Sequence, residues 1–443
     1  MKRLGDVMKE RKIIWNSDYT QDCVPNFTSN MNEPRHRWYD FKEGFSSTLV
    51  KKAIEDARKT KNDDSRFTLL DPFSGSGTSI LTALQNDCDA IGFEINPFMS
   101  FVGQTKCIKK SKEYDKYIKE LDFICKSPPF RKKSSLEGIS TFSPPKNIAD
   151  GDKWLFNLDV LRTFEALKNN AHLVEDSDIF ILALLFSMMQ CCNAKKDGKC
   201  LRYIKSWKEN EYSGQNLRKL FRVNANNMIE DIVSTPLNTG NSKIILGDAR
   251  ELFKRIETNA IDLIIFSPPY LNTFDYSDIY RPELYLSGMI NNNDELMQIR
   301  KKTIRSHVQC KWEHKDCSNM LSVKRIVGQL EKKKSDLWNT NIPQMISSYF
   351  FDLEIVINQA YRVAKPGAKL WFVVSTSAYA GIEIPVDIIL ADIAETNHWI
   401  IEGVYALRKL RTSSQCENNN KQKVKLRESL IICRKKVCNY ENN

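Results

Sequence analysis

The residues best suited to carry chemistry are Ser267-Pro268-Pro269-Tyr270, which follow an apolar run in the second half of the chain. An amine attached to an aromatic base is a weak nucleophile because its lone pair is delocalised into the ring. Two acceptors beside it, the Ser267 hydroxyl and the Pro268 carbonyl, would bind its hydrogens and favour the tetrahedral geometry needed for attack. The prolines fix two backbone φ angles, and Tyr270 offers a ring on which a base can stack. The segment predicts attack by a base amine.

The tripeptide Ser-Pro-Pro occurs three times, which allows the position of this chemistry to be tested within the sequence. Ser143-Pro144-Pro145 is followed by a lysine and has no strand pattern before it. Ser127-Pro128-Pro129 is followed by the aromatic Phe130, but it comes after a helical pattern. Only Ser267 follows a strand pattern that belongs to a series of strands, so we assign the chemistry to Ser267.

We expect Ser267 and the residues after it to be positioned by short predicted strands, each of which ends at polar residues. Ile244–Leu246 ends at Gly247-Asp248, and Ile261–Phe266 ends at the Ser-Pro-Pro-Tyr segment, with a helix-compatible stretch between them. Phe67–Leu70 is followed by a glycine-containing loop, a helix pattern and a further strand, Ala90–Ile95. Parallel strands joined by helices have their carboxyl ends at one edge of the sheet, where open α/β sheets bind ligands.

The polar residues at that edge are the types that an adenosyl ligand needs. Gly75 and Gly77 let the backbone turn tightly, and the next helix directs its positive end at the ligand. Glu94 is placed to bind the two hydroxyls of a ribose, and Asp248 to accept from an exocyclic amine such as that of adenine. Each residue alone is a weak signal, but their joint occurrence in this order predicts an adenosyl site.

Four motifs together, DPFSGSGT, FEINP, GDAREL and FSPPY, resemble those of the S-adenosylmethionine-dependent DNA amino-methyltransferases, which methylate cytosine N4 or adenine N6 in restriction–modification systems. FKEGFS, at residues 41–46, resembles a further cofactor motif of that family. The resemblance implies that S-adenosyl-L-methionine is bound by Phe45, Asp71, Phe73, Gly75, Gly77, Thr78, Glu94 and Asp248. It implies that the catalytic residues are Ser267, Pro268, Pro269 and Tyr270.

Serine in the first position of the catalytic motif is typical of the cytosine-N4 enzymes of that family, so we expect a cytosine-N4-specific DNA methyltransferase. Methylation at cytosine carbon 5 needs a cysteine nucleophile after a proline, and Cys191 and Cys192 lack that context. Methylation of adenine N6 or of an RNA amine stays open as an alternative, and so does a nucleic-acid-binding protein without catalysis.

The strand and helix patterns predict a fold of the α/β class: a doubly wound, seven-stranded Rossmann-like methyltransferase sheet with a C-terminal hairpin and mainly helical insertions. The first forty residues are expected to form an irregular arm. The expected segments are an arm and cofactor motifs at 1–105, a mainly helical basic insert at 106–241 that is a candidate for DNA recognition, the catalytic part at 242–290, a Lys-rich second insert at 291–343, and the C-terminal part of the methyltransferase domain at 344–443.

Charge and composition indicate the partner. The chain has 66 Lys and Arg against 55 Asp and Glu, a formal charge of +11, and clusters such as residues 131–133 and 332–334 favour a polyanion. The resemblance implies double-stranded DNA, with a cognate restriction endonuclease acting on the same site. No apolar run reaches the ~20 residues of a membrane span, and the N-terminus lacks the pattern of a signal peptide. We expect a cytoplasmic protein with reduced cysteines.

His307, Cys310, His314 and Cys317 are a candidate set of zinc ligands. They follow one another at i, i+3, i+7 and i+10, which would put them on one helical face. Four ligands along one straight helix do not readily surround a tetrahedral zinc ion. We therefore expect no metal there.

Overall fold

Strands with buried side chains build the centre of the protein. The computed structural model describes residues 11–15, 19, 27–41, 44–61, 63–110, 112–128, 130, 132–139, 141–197, 200–272, 275–312, 317–410 and 425–437. Its strands are β1 Ile13–Ile14, β2 Thr68–Asp71, β3 Asp89–Glu94, β4 Ala194–Asp197, β5 Cys200–Tyr203, β6 Ser242–Leu246, β7 Ile261–Phe266, β8 Ala364–Ser375, β9 Ser377–Tyr379, β10 Ile382–Ile384, β11 Ile400–Leu410 and β12 Leu426–Arg434.

Eight of these strands form one sheet in the order β1, β11, β12, β8, β7, β2, β3, β6. Strand β2 pairs in parallel with β3 on one side and with β7 on the other. The chain runs outward from β2 through β3 to β6 and then returns to β7, so the strand order reverses between β2 and β7. The carboxyl ends of these two strands flank the crevice at which open α/β sheets bind ligands.

The predicted fold class is confirmed, and all seven predicted strands are present in this sheet. Strands β11 and β12 form the predicted hairpin, and β12 lies antiparallel between β11 and β8. The eighth strand, β1, corrects the expectation of an irregular N-terminal arm, because it pairs in parallel with Val404 and Tyr405 of β11. Strand β1 was not predicted, because a strand of two residues is too short to show an alternating apolar pattern and its partners lie near the other end of the chain.

Helices cover both faces of the sheet, as a doubly wound fold requires. They are α1 Ser47–Arg58, α2 Thr78–Gln85, α3 Pro97–Lys106, α4 Tyr114–Cys125, α5 Leu158–Ala171, α6 Ser177–Gln190, α7 Gly214–Ser234, α8 Ala249–Leu252, α9 Tyr276–Ile279, α10 Arg281–Ser287, α11 Asn293–Lys301, α12 Leu321–Glu331, α13 Ile342–Val363 and α14 Val386–Thr396. Leu69 and Leu263 belong to the core under α1 and α2. Leu70 and Ile264 belong to the core under α13 and α14. Successive side chains along a strand thus pack against the helix layers on opposite faces of the sheet.

The insert at 106–241 has its own apolar core, formed by α4 to α7 and shared with α3 and α10. It is mainly helical, as expected, but it also contains the antiparallel hairpin of β4 and β5. That hairpin was not predicted because β4 reads Ala-Lys-Lys-Asp, which has no apolar alternation. Within the described residues, no helix is both long enough and apolar enough to span a bilayer.

One buried carboxylate on α7 anchors the segment that leads to the sheet edge. Asp231 accepts hydrogen bonds from the backbone N–H of Arg35 at 2.8 Å and the indole N–H of Trp38 at 2.9 Å. It also accepts from the guanidinium of Arg37 at 2.6 Å. The first insert therefore fixes the chain shortly before Phe41, which reaches the cavity described below.

Replacing Asp231 with alanine should lower the free energy of unfolding by about 3 kcal/mol, because the buried N–H groups of Arg35 and Trp38 lose their acceptor. Chemical denaturation monitored by tryptophan fluorescence measures this loss. Glu230→Ala, on the exposed face of the same helix, is the matched control and should change the value by less than about 0.5 kcal/mol. Equal losses in both variants would contradict the anchoring role.

Candidate functional site

The carboxyl edge of the sheet opens into a cavity of about 380 Å³ between β2 and β7, a volume typical of sites for small molecules. The ends of four parallel strands contribute to its wall. Eleven of the twelve predicted site residues line it: Phe45, Asp71, Phe73, Gly75, Thr78, Glu94, Asp248, Ser267, Pro268, Pro269 and Tyr270.

The exception is Gly77, which shapes the loop and does not line the cavity. Its φ of +82° lies in the left-handed region, which glycine adopts without strain. A Cβ at this position would lie 2.7 Å from the Cα of Gly103 in α3. The glycine therefore permits the start of α2 to pack closely against α3.

Asp71, the last residue of β2, stabilises the same loop by hydrogen bonds. Its carboxylate accepts a hydrogen bond from the backbone N–H of Phe73 at 2.9 Å and another from the hydroxyl of Ser79. Burial raises the pKa of Asp71 to about 7, although the bonds from Ser79 and Phe73 lower it, and the nearby carboxyl of Glu94 raises it slightly. Asp71 thus stabilises the conformation of the loop, and that conformation places Gly75 and Thr78 at the cavity wall.

Glu94 ends β3 on the opposite side of the loop. One carboxylate oxygen accepts from the backbone N–H of Gly75 at 2.8 Å, and the other accepts from that of Asn96 at 2.8 Å. Burial raises the pKa of Glu94 to about 7, against the effect of these backbone hydrogen bonds. Each oxygen keeps a further lone pair that can accept from a hydroxyl.

These residues fit the adenosyl donor that the motifs imply. The carboxylate of Glu94 supplies two acceptors for ribose hydroxyls, and Phe41, Phe45 and Phe73 supply aromatic wall. Gly75 has no side chain, and a Cβ there would lie 2.6 Å from the ring of Phe41. The loop and the Phe41 ring therefore approach each other closely only because the residue is glycine.

Asp248 lines the cavity, but its carboxylate is already engaged. Both oxygens accept from Arg250, at 3.0 Å from Nε to Oδ1 and 2.6 Å from the terminal nitrogen to Oδ2. Arg250 also forms an ion pair with buried Asp352 at 2.8 Å. A contact from Asp248 to an adenine amine stays a prediction, and it would use lone pairs that Arg250 leaves open.

The predicted catalytic motif follows the fully buried strand β7. The Ser267 hydroxyl lies 3.2 Å from the carbonyl oxygen of Val373 and 3.4 Å from the Tyr270 hydroxyl. Tyr270 donates to Glu428 at 2.6 Å. Because Ser267 can donate its hydrogen to a carbonyl, its oxygen retains lone pairs for the hydrogens of an amine.

Among the described residues of the other two Ser-Pro-Pro segments, Ser127, Pro128 and residues 143–145 do not line this cavity. Ser127 follows α4, and its side chain is buried against Arg218, whose guanidinium donates to the Ser127 hydroxyl at 3.1 Å. Ser143 accepts a hydrogen bond from the backbone N–H of Gly138 at 3.4 Å. Both serines therefore have local structural partners in the first insert.

Sequence reasoning missed much of the outer wall. The second insert contributes residues between 299 and 307 to it, and the loop after the catalytic motif contributes Asn272 and Asp275. The guanidinium of Arg250 donates to the carbonyl oxygen of Lys302 at 3.2 Å, which fixes the insert beside Asp248. Nothing in the sequence of this lysine-rich segment indicates that it forms part of the cavity wall.

The four-residue metal alternative does not have the geometry on which it was based. Residues 302–312 contain turns and no helix, and His314 lies outside the described residues. His307 is buried, and its Nε2 lies 3.2 Å from the Thr303 hydroxyl; burial lowers the pKa of His307. Among the described residues, no group of three or more His, Cys, Asp or Glu side chains could hold a metal.

A second missed feature is a carboxylate beneath the catalytic motif. Glu428 on β12 is 2 % exposed, and it accepts from Tyr270 and, at 2.6 Å, from the Nε of Arg408 on β11. All three side chains line the cavity. The available signal was a glutamate two residues before the apolar run Leu430 to Cys433 of the last strand.

Three curated relatives match this chain over most of its length. It is 27% identical over 448 residues to the Type II methyltransferase M.AvaI of Nostoc sp. (strain PCC 7120 / SAG 25.82 / UTEX 2576), covering 93% of this chain and 89% of the relative. It is 26% identical over 485 residues to M.BsoBI of Geobacillus stearothermophilus, covering 98% and 92%, and 23% identical over 391 residues to M.MvaI of Kocuria varians, covering 82% of each.

No family model matches the chain. A solved S-adenosylmethionine-dependent methyltransferase from Methanosarcina mazei superposes with a TM-score of 0.28 and 10% identity, over 86% of this chain and 96% of that one. This superposition is too weak to indicate the fold. The assignment of the fold depends on the strand order and on the loops at the sheet edge.

The sheet order, the glycine loop and the acid at the end of β3 define a Rossmann-like α/β fold with a small-molecule cavity at the carboxyl edge of its sheet. The full-length similarity identifies the chain more narrowly as a relative of the Type II methyltransferases of restriction–modification systems. The resemblance drawn from the motifs is thereby confirmed.

Gly77→Ala should weaken binding of S-adenosyl-L-methionine by roughly tenfold or more, because the added Cβ forces the loop away from α3 and strains its φ. Isothermal titration calorimetry measures the affinity. Gly328→Ala is the control: Gly328 lies on the exposed face of α12, and a Cβ built there has nothing within 4 Å, so binding should be unchanged and stability slightly increased. Unchanged affinity in Gly77→Ala would contradict the role of this packing.

Cofactor affinity should also depend on pH through Glu94. With its pKa near 7, the carboxylate is mostly ionised at pH 8 and mostly protonated at pH 6, so the affinity should fall about tenfold between these values. Glu94→Gln should bind weakly with little pH dependence. Glu251→Gln, an exposed acid on nearby α8, should keep the wild-type pH dependence; an unaltered pH profile in Glu94→Gln would contradict the assignment.

Proposed function

We propose that this protein is a site-specific DNA methyltransferase that transfers a methyl group from S-adenosyl-L-methionine to the exocyclic N4 amine of a flipped cytosine, as the modification enzyme of a restriction–modification system. The observation that carries the proposal is the position of Ser267. Its hydroxyl lies in the same cavity as the glycine loop and Glu94, at the end of the strand beside β2.

S-adenosyl-L-methionine supplies an electrophilic methyl group when it is bound. The residues of the chain then have distinct tasks. The Ser267 oxygen and the Pro268 carbonyl accept the two amine hydrogens, which orients the nitrogen lone pair and weakens its delocalisation into the ring. The Tyr270 ring supports the base, and its position is fixed by the hydrogen bond to Glu428. Positioning of this kind accelerates a direct transfer without a covalent enzyme intermediate.

Double-stranded DNA is the proposed substrate because the target amine belongs to a base and the chain is basic. Extrusion of a base costs a few kcal/mol, which protein contacts to phosphates and grooves must offset. The basic insert at 106–241 is the proposed recognition element, and it packs against α3 and α10 beside the cavity. A restriction endonuclease for the same site and a cytoplasmic location remain part of the proposal.

Ser267→Ala tests the proposal. Purified protein is incubated with mixed-sequence plasmid DNA and S-adenosyl-L-methionine, and the digested nucleosides are identified by mass spectrometry. The wild type should form N4-methylcytosine. Ser267→Ala should lower the methylation rate by on the order of 100-fold, because one amine acceptor is lost, while cofactor affinity stays unchanged.

Ser127→Ala is the matched control, since it removes the hydroxyl of another Ser-Pro-Pro serine, and Ser127 does not line the cavity. It should methylate at the wild-type rate. If the product were N6-methyladenine, the proposed target base would be wrong, but the proposed catalytic residues would still stand. Methylated RNA without methylated DNA would contradict the substrate, and no product on either nucleic acid would favour a binding protein without catalysis.

A further inference from the structure

A buried carboxylate lies two hydrogen bonds away from the catalytic serine. Glu428 is 2 % exposed, and one of its oxygens accepts the Tyr270 hydroxyl hydrogen at 2.6 Å. The Tyr270 oxygen in turn lies 3.4 Å from the Ser267 hydroxyl. Ser267, Tyr270 and Glu428 thus form a chain of polar groups that leads from the cavity into the sheet.

The Ser267 hydroxyl has two acceptors within reach, the Val373 carbonyl at 3.2 Å and the Tyr270 oxygen at 3.4 Å. Rotation about one side-chain bond exchanges them. When Ser267 donates to Val373, its oxygen can accept an amine hydrogen. When it donates to Tyr270, a proton can pass along the chain, because hydrogen bonds of catalytic groups often shorten when the substrate is bound.

The proposed reaction requires such a path. The lone pair of the base nitrogen forms the new bond to the methyl carbon while the bond from that carbon to sulfur breaks and its electron pair stays on sulfur. The positive charge moves from sulfur to the base, whose amine now carries two hydrogens and a methyl group. One proton must leave to give the neutral methylated base. Serine is itself too weak a base to retain that proton.

We propose that Glu428 is the acceptor of this proton, which reaches it through Ser267 and Tyr270. Ser267 accepts the amine proton and passes its own hydrogen to the Tyr270 oxygen, and Tyr270 passes its hydrogen to Glu428. The carboxylate becomes a neutral carboxyl, and no other reactant is consumed. This inference rests on the proposed function and adds to it the destination of the proton.

The charges around Glu428 suit this role. Among the described residues, the titratable or charged groups that act on it are Arg408 from β11 and Tyr270 from the catalytic loop. Ser375, its partner on the other neighbouring strand β8, is neutral. Burial raises the pKa of Glu428, and Arg408 opposes this rise. The carboxylate is therefore a better proton acceptor than an exposed glutamate, and the positive charge of Arg408 favours its ionised form.

The rate of methyl transfer in a single turnover, with saturating DNA and cofactor, tests the relay. Glu428→Gln keeps an acceptor for Tyr270 but cannot take up a proton, and Tyr270→Phe keeps the ring but removes the link. Each should lower the rate by on the order of 10- to 100-fold, and the double variant should lose no more than either single one. Cofactor affinity and DNA affinity should stay within about twofold of the wild type.

The pH dependence of that rate separates a relay from simple support of the loop. The wild-type rate should fall as the pH drops through the pKa of Glu428, and Glu428→Gln should lack this acidic limb. Arg408→Gln removes the charge that lowers the pKa of Glu428, so the limb should move to higher pH. Difference infrared spectra after one turnover should show a new protonated carboxyl that is absent in Glu428→Gln.

Ser429→Ala controls for disturbance of β12, because Ser429 is the adjacent buried residue and bonds to Asp387, away from the cavity; it should keep the wild-type rate and pH profile. If Glu428→Gln or Tyr270→Phe methylates at the wild-type rate, the proton leaves by another route and the inference is overturned while the proposed function stands. If the wild type forms no methylated nucleoside, the proposed function fails and the relay fails with it.

Discussion

Hydrogen bonding of β2 between two parallel partners is the constraint on which the site depends. Register pairs Leu69 of β2 with Leu263 of β7 on one side and with Ala90 of β3 on the other. Parallel pairing brings the carboxyl ends of all three strands to one edge, and the reversal of strand order at β2 leaves a crevice there. Ser267 comes from a segment far along the chain from the glycine loop and Glu94, and the parallel pairing of β2 with β7 brings it to the same edge of the sheet. An antiparallel pairing would send one of these groups to the opposite edge.

Three buried carboxyl groups at this edge carry an electrostatic cost that the structure offsets in different ways. Asp71 is bound by the Ser79 hydroxyl and a backbone N–H, Glu94 by two backbone N–H groups, and Glu428 by Tyr270 and Arg408. Burial raises the pKa of each, because the charged form loses solvation. With pKa values of about 7, Asp71 and Glu94 can gain or lose a proton near neutral pH.

The second insert completes the cavity from outside the sheet, and the first insert supports part of its wall. In the first insert, the Lys196 ammonium on β4 lies 2.6 Å from the buried Glu283 carboxylate and 3.9 Å from the centre of the Tyr280 ring, and Tyr280 is part of the wall. In the second insert, residues 299–307 run past Asp248 and are held there by Arg250. The sheet thus provides the cofactor edge, and segments without strand character provide the remaining wall.

The sequence by itself determined the local pieces of this protein. Apolar runs, turn residues and prolines specify the strands, the glycine loop, the acid at the end of β3 and the Ser-Pro-Pro-Tyr segment within a few residues each. These pieces were therefore predictable, and so was the position of Ser267, and not Ser127, at the sheet edge. Only the tertiary structure decided that Glu428 lies beneath Tyr270, that residues 299–307 close the cavity, that Arg250 engages Asp248, and that β1 joins the sheet edge. These contacts join residues distant in the chain through strand pairing and side-chain packing, and no local pattern records which distant partner a side chain will meet.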